Sequence, residues 1–211
     1  MQSASFENFG YMSDIVQAPS GAVTTLSGNV LSDDGVVIEV SGDPTYAMGR
    51  WVAGTVTHDG GVEKLSGTDN RAYHYIAVNA PAQFPKTGAL NCDAGMFTTP
   101  TYQDIGGSGT HANSGTATGS ATLSFGASGA VIAGVVNVSV SGSTGATSLA
   151  STTETVAEPA FTSNYFVGGD SKAVVQIGDA GGGAFHLAVG YRTKLTNGAE
   201  YIGVARFRCA A

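Results

Sequence analysis

From Gly115 to Phe125 the chain alternates without a break. Ala117, Gly119, Ala121, Leu123 and Phe125 share one parity, and Thr116, Thr118, Ser120, Thr122 and Ser124 share the other. Successive side chains of a strand point to opposite faces, so this period of two predicts a half-buried strand. Val131 to Ser141 follows, with Ile132, Gly134, Val136, Val138 and Val140 on its inner parity, and Gly126-Ala-Ser-Gly129 between the two runs predicts a hairpin. Ala173 to Ile177 reads as a further strand. Phe185, Leu187, Val189 and Tyr191 then alternate with Ala184, His186, Ala188 and Gly190. Asn197-Gly198 is a strong short hairpin signal, and the strand it introduces carries Tyr201, Gly203, Ala205 and Phe207 on one face. Tyr46–Thr57 and Ala72–Val78 predict two more strands upstream, whereas residues 1–30 show little periodicity.

No helical period of useful length interrupts this series. Gly and Ala recur on the presumed inner faces (Gly119, Ala121, Gly134, Gly203, Ala205), and small inward residues let strands coil tightly. The pattern therefore predicts an all-β protein, an antiparallel up-and-down β-barrel of about eight strands. Closing the sheet also removes exposed strand edges that a chain with few charges guards poorly. The barrel is expected over residues 31–211, with residues 1–30 as an N-terminal arm or linker. Two loops, Asn91–Ser114 and Gly142–Ser171, are longer than is usual in a compact β domain, where such length is commonly functional.

Composition sharpens the class. Gly 31, Ala 29, Thr 22, Val 21 and Ser 20 dominate, and Leu occurs 8 times, the reverse of a helical protein. Charged residues make up 12% of the chain against 42% apolar, which excludes a disordered polyelectrolyte. No run approaches the length of a membrane-spanning helix. The net charge is −7 with the nine cations scattered, so no nucleic-acid partner is expected, since that requires clustered Lys and Arg. Arg206 and Arg208 share a strand face and are the one pair placed to meet an anion, the plainer reading being two solvated arginines. A Ser/Thr/Gly-rich, Lys-poor surface is typical of secreted and cell-surface β proteins. In an exported chain Cys92 and Cys209, 117 positions apart, are expected to pair; the alternative is two separate buried thiols.

Candidate chemistry is thin. His58, His74, His111 and His186 show no metal-ligand spacing, and no nucleophile elbow occurs. Asp33-Asp34-Gly35 lacks the alternating ligands of a calcium loop. His74, between Tyr73 and Tyr75, reads as a haem ligand or as a buried histidine satisfied by its surroundings, the latter being the plainer reading. Trp51 reads as a carbohydrate platform or, more simply, as a core ring. The candidate partner-binding residues are the loop groups Phe97, Tyr102, His111, Phe161, Tyr165 and Phe166, because large rings dominate binding hot spots. The competing reading is that these rings fold back as plugs on the barrel ends.

Met48-Gly-Arg-Trp-Val-Ala-Gly-Thr-Val56, Tyr73-His-Tyr-Ile76 and Pro81-Ala-Gln-Phe-Pro-Lys-Thr-Gly88 form an ordered series that resembles the C-terminal β-barrel region of FecR-type bacterial envelope proteins. Gly183-Ala-Phe185 and Gly203-Val-Ala-Arg-Phe207 are similar to the closing strands of transferrin-binding-protein-like barrels. The resemblance spans roughly residues 45–208 and implies a secreted or surface barrel of the bacterial envelope without an active site, in a group that includes haem and host-protein binders. It does not extend to transferrin binding, because Phe185 leads into His-Leu-Ala-Val-Gly190 where those barrels carry a Gly-Pro hairpin. The expected function is a non-enzymatic binding module for a haem-type ligand or a protein partner. The alternative is a structural subunit whose copies assemble into a fibre or surface layer through the N-terminal segment.

Overall fold

The computed structural model describes residues 6–32, 34–59, 61–103, 113–127, 129–154 and 172–211. These form β1 (Phe6–Tyr11), β2 (Ile15–Gln17), β3 (Val23–Leu26), β4 (Asn29–Leu31), β5 (Val36–Asp43), β6 (Tyr46–His58), β7 (Gly61–Ser66) and β8 (Tyr73–Val78). Then follow β9 (Gly88–Cys92), β10 (Met96–Phe97), β11 (Thr101–Tyr102), β12 (Thr116–Gly126), β13 (Gly129–Val140), β14 (Ser143–Glu154), β15 (Lys172–Asp179), β16 (Phe185–Lys194) and β17 (Glu200–Ala210). A single 3₁₀ turn at Met12–Asp14 is the only helical element among the described residues, and none of them forms a helix able to cross a membrane. The protein is all-β, with one sheet closed almost into a barrel and a second curled into a half-barrel.

The barrel sheet has the order β14-β13-β12-β9-β17-β16-β15, with β10 and β11 laid on β17. The alternating parities decide its interior. Leu123 and Phe125 from β12, Ile132, Val136 and Val138 from β13, Leu187 and Tyr191 from β16, and Phe207 from β17 all enter one apolar core. Burying each large aliphatic or aromatic group contributes about 1.5–3 kcal/mol, so this core is the main source of the barrel's stability. Near the seam of the cylinder, Thr147 Oγ1 on β14 donates to Arg192 O at 2.9 Å and the Thr196 amide donates to Thr144 O at 2.9 Å, which draws β14 towards β16. Most of the region expected as the second long loop up to residue 154 is thus strand β14.

Residues 6–78 build the half-barrel, in the order β1-β8-β6-β4-β3-β2 with β5 and β7 also paired to β6. β1 runs parallel to β8 over six register pairs, from Phe6↔Tyr73 to Tyr11↔Val78, while the other strand pairs of both sheets are antiparallel among the described residues. Its concave face buries Leu26, Leu31, Trp51, Tyr73 and Tyr75. Its other face packs Tyr46, Met48, Ile76 and Val78 against Ala188 and Val204 of the barrel, with Phe9 alongside. That contact explains why β16 and β17 are buried on both faces. Gly178 fits where it does because the Val78 side chain fills the space a Cβ would take. One antiparallel bridge, Asn79↔Asp179, joins the two sheets through their backbones.

Candidate functional site

The boundary between the sheets gathers most of the buried polar chemistry. Arg50 on β6 is 6% exposed, and its Nε and NH2 group meet the two carboxylate oxygens of Glu39 at 2.8 and 2.7 Å. Glu39 sits in a β-bulge with φ 55°, which turns it out of the ladder and towards Arg50. It also accepts from the Thr99 amide at 2.9 Å and from the Thr99 hydroxyl, so one carboxylate ties the half-barrel to the segment between β10 and β11. Burial works against the ionised carboxylate, but the Arg50 and Thr99 donors outweigh it and hold Glu39 below the usual range. Nearby, Arg206 on β17 donates to Asp93 at 2.7 Å and lies 4.8 Å from the Tyr46 ring centroid. Arg206 is therefore buried and engaged, while Arg208 is exposed.

Two histidines cross the same boundary in opposite directions. His74, on β8, is fully buried; its Nδ1 lies 2.8 Å from Thr98 Oγ1 and its Nε2 2.7 Å from Thr101 Oγ1. Burial, with the Arg50 guanidinium as a second cause, pushes its pKa well below the ordinary value. Both ring nitrogens are occupied, which fits a core histidine and leaves no lone pair free for iron. His186, on β16, reaches the β5–β6 turn, where Nε2 lies 2.8 Å from Thr45 Oγ1. That hydroxyl donates its one proton to Asp43 Oδ1 at 2.6 Å, so His186 must be the donor and carries its proton on Nε2. Its Nδ1 is buried without a partner among the described residues. Burial and Arg206 push the ring down to about 4, with Asp43 opposing, Arg208 adding and Asp93 opposing. The threonine is anchored rather than activated, and this constellation holds the turn in place. Among the described residues no three His, Cys, Asp or Glu side chains converge on a metal position.

The surface holds a different feature. A groove of about 720 Å³ runs between the β2–β3 hairpin and the start of β5, lined in part by Val16, Ala22, Thr24, Val30, Leu31 and Val36. Val16 is 56% and Val36 46% exposed, Val30 is exposed as well, and Ile38 and Val40 continue the exposed aliphatic series along β5. The backbone pairing of β5 is to β6 alone among the described residues. That pairing is irregular between Val36 and Val37 and again between Ile38 and Ser41, where the Glu39 bulge lies. The local sequence explains the exposure: Val36-Val37-Ile38 puts apolar groups on both faces of a strand, and one face is already filled when Val37 joins the half-barrel core.

The residues singled out from sequence are spread differently. Phe97 packs edge-on against Phe207 at 5.6 Å, and Tyr102 against Tyr201 at 5.7 Å, so both rings are partly buried against the barrel core. His111, Phe161, Tyr165 and Phe166 lie outside the described residues. Cys92 and Cys209 form a disulfide between register partners of β9 and β17. Trp51 is fully buried and donates from Nε1 to Val23 O at 2.7 Å. Reasoning from sequence missed Val16, Val30, Val36, Ile38 and Val40; the one available signal was the loss of alternation at Val36-Val37-Ile38. Compared with protein-family models, with curated proteins and with solved structures, the chain matches none.

Proposed function

We propose that this chain is a non-enzymatic, secreted or cell-surface binding module whose partner is a protein presenting an extended aliphatic segment to the groove beside β5. The observation that carries this reading is the grouping of exposed aliphatic side chains along one polar-rimmed groove, an arrangement that marks interaction sites on soluble domains. The groove volume lies within the range of ligand-binding clefts. The start of β5, paired on one side only among the described residues, adds main-chain donors and acceptors that an extended peptide would use. A haem-type ligand has less support, because the iron ligand that sequence reasoning weighed first, His74, has both nitrogens bonded. The reading is tested by retention of surface proteins from the source cells on the wild type and on Val16→Asp/Val36→Asp, with a haem titration in parallel. Loss of retention in the variant supports it; equal retention, or binding of haem alone, overturns it.

A second reading is favoured by β1. It is the first described strand, its one sheet partner among the described residues is β8, and that pairing is parallel. Such a strand is suited to exchange between copies, which would build a fibre or surface layer. Deleting residues 1–11 and measuring mass by light scattering separates the readings: assembly that disappears on deletion favours the structural subunit, and a monomer before and after rejects it.

A further inference from the structure

We propose that the contact between the two sheets is an acid-releasable catch, opened by proton uptake at His186 and His74 while the barrel stays folded. The argument rests on placement. Each histidine belongs to one sheet and bonds to a threonine on the other side of the boundary. Each is almost entirely removed from solvent, so each is held uncharged by the closed arrangement.

For His186, a second proton would have to enter on Nδ1, which is buried and faces no acceptor. The groups around it are Asp43 and Thr45 of the β5–β6 turn, the Tyr46 ring at 5.1 Å, Arg206 and Arg208 of β17, and Asp93 beyond β9. The two guanidiniums oppose an imidazolium. The two carboxylates favour it but are already engaged, Asp43 by Thr45 and Asp93 by Arg206. For His74, the neighbouring groups are the Thr98 and Thr101 hydroxyls, Tyr191 of β16 behind Thr98, Glu7, its register partner on β1, and Arg50, its register partner on β6, with Glu39 on the far side of Arg50. Both hydroxyls can accept from a protonated ring, so there the obstacle is a second buried cation beside Arg50. The cores of the two sheets, by contrast, are built from aliphatic groups, phenylalanines, tyrosines, Trp51 and the bridged Cys209, none of which titrates in acid. Acid therefore acts first on the boundary.

Linkage sets the size of the effect. Each proton taken up on opening raises the opening constant about tenfold per pH unit below the free histidine pKa. The backbone reporter is the Asp179 amide, which donates to Asn79 O across the boundary at 2.8 Å. Measured by hydrogen exchange between pH 6 and 5 and corrected for intrinsic rates, its opening constant is expected to rise about 50-fold and to stay well above that of Leu123 in the β12–β13 ladder, which exchanges only when the barrel itself opens. His186→Gln keeps a donor towards Thr45 and takes up no proton, so it is expected to reduce the rise to about eightfold. A pH-independent Asp179 amide, an opening constant at Leu123 equal to that at Asp179, or an unchanged slope in His186→Gln overturns the proposal. If that variant does not fold, the wild-type comparison of Asp179 with Leu123 decides alone.

Discussion

Tyr191 lies directly across the β16–β17 ladder from Gly203, and its hydroxyl end fills the space that a side chain at 203 would need. The half-barrel repeats the arrangement, with Tyr75 opposite Gly49 on β8 and β6. In both sheets a fully buried tyrosine covers a glycine on the neighbouring strand, so a small residue inside a strand is stabilised by a ring instead of its own side chain. Burial pushes the Tyr75 hydroxyl up to about 12, with the Val23 amide opposing.

Gly203→Ala and Gly49→Ala are accordingly expected to destabilise by about 1–3 kcal/mol through overpacking, although alanine in an open strand position is normally at least neutral. Urea midpoints measure this. A neutral or stabilising alanine at either position would show that the rings are free to yield.

The Cys92–Cys209 bridge closes a long stretch of chain and pins the last strand to β9. Replacing both cysteines by alanine is expected to cost about 2–5 kcal/mol, read as a lower denaturation midpoint without loss of β-sheet circular dichroism. A change below about 0.5 kcal/mol would mean that the denatured chain gains no freedom from the cut.

Glu39→Ala leaves Arg50 buried without its anion and removes both acceptors from Thr99. A fully buried pair broken in this way costs about 3–5 kcal/mol, and because the Glu39 side chain keeps 31% exposure the expected loss is nearer 2–3 kcal/mol. Replacing Arg50 and Glu39 together by apolar residues is expected to be milder than Glu39→Ala, which a double-mutant cycle tests.

Acid should weaken the whole molecule through the same histidine that bonds to Thr45. The folded pKa of His186 is near 4, below its unfolded value, so the unfolded chain binds its proton first as pH falls. The contribution is complete above about pH 6.5 and is lost as pH falls through 4, with a slope of about 1.4 kcal/mol per pH unit in between. Thr45→Val removes the acceptor from His186 Nε2 and is expected to cost about 1–3 kcal/mol at neutral pH. Chemical denaturation at pH 7.5, 6 and 5 checks the sign; stability that rises on acidification contradicts it.

The barrel was legible because strands such as β12 and β13 are long and one-sided. The parity of Leu123, Phe125, Ile132 and Val136 predicts the core they enter. The half-barrel was legible only in part. β2 and β4 have three residues each, too few to show a period, and β1 joins its sheet by backbone pairing to β8 that leaves no pattern in the side chains. The inter-sheet contact was hidden for a related reason: His186, Ala188, Ile202 and Val204 read as an ordinary outer face until a second sheet covers them. Aromatic content pointed to Phe97 and Tyr102, yet β10 and β11 lay them against Phe207 and Tyr201. The groove draws on side chains from Val16 to Val37, brought together by four short strands, and no local pattern announces such a surface.

A photo-cross-linking amino acid placed at Val30, and in a second sample at Thr122 on the exposed outer face of β12, tests the proposed binding surface most directly on the source cells. The expected result is a discrete protein adduct from position 30 that an excess of unlabelled chain competes away, with none from position 122. Adducts from position 122 alone, or none from either position, would contradict the assignment of the β5 groove.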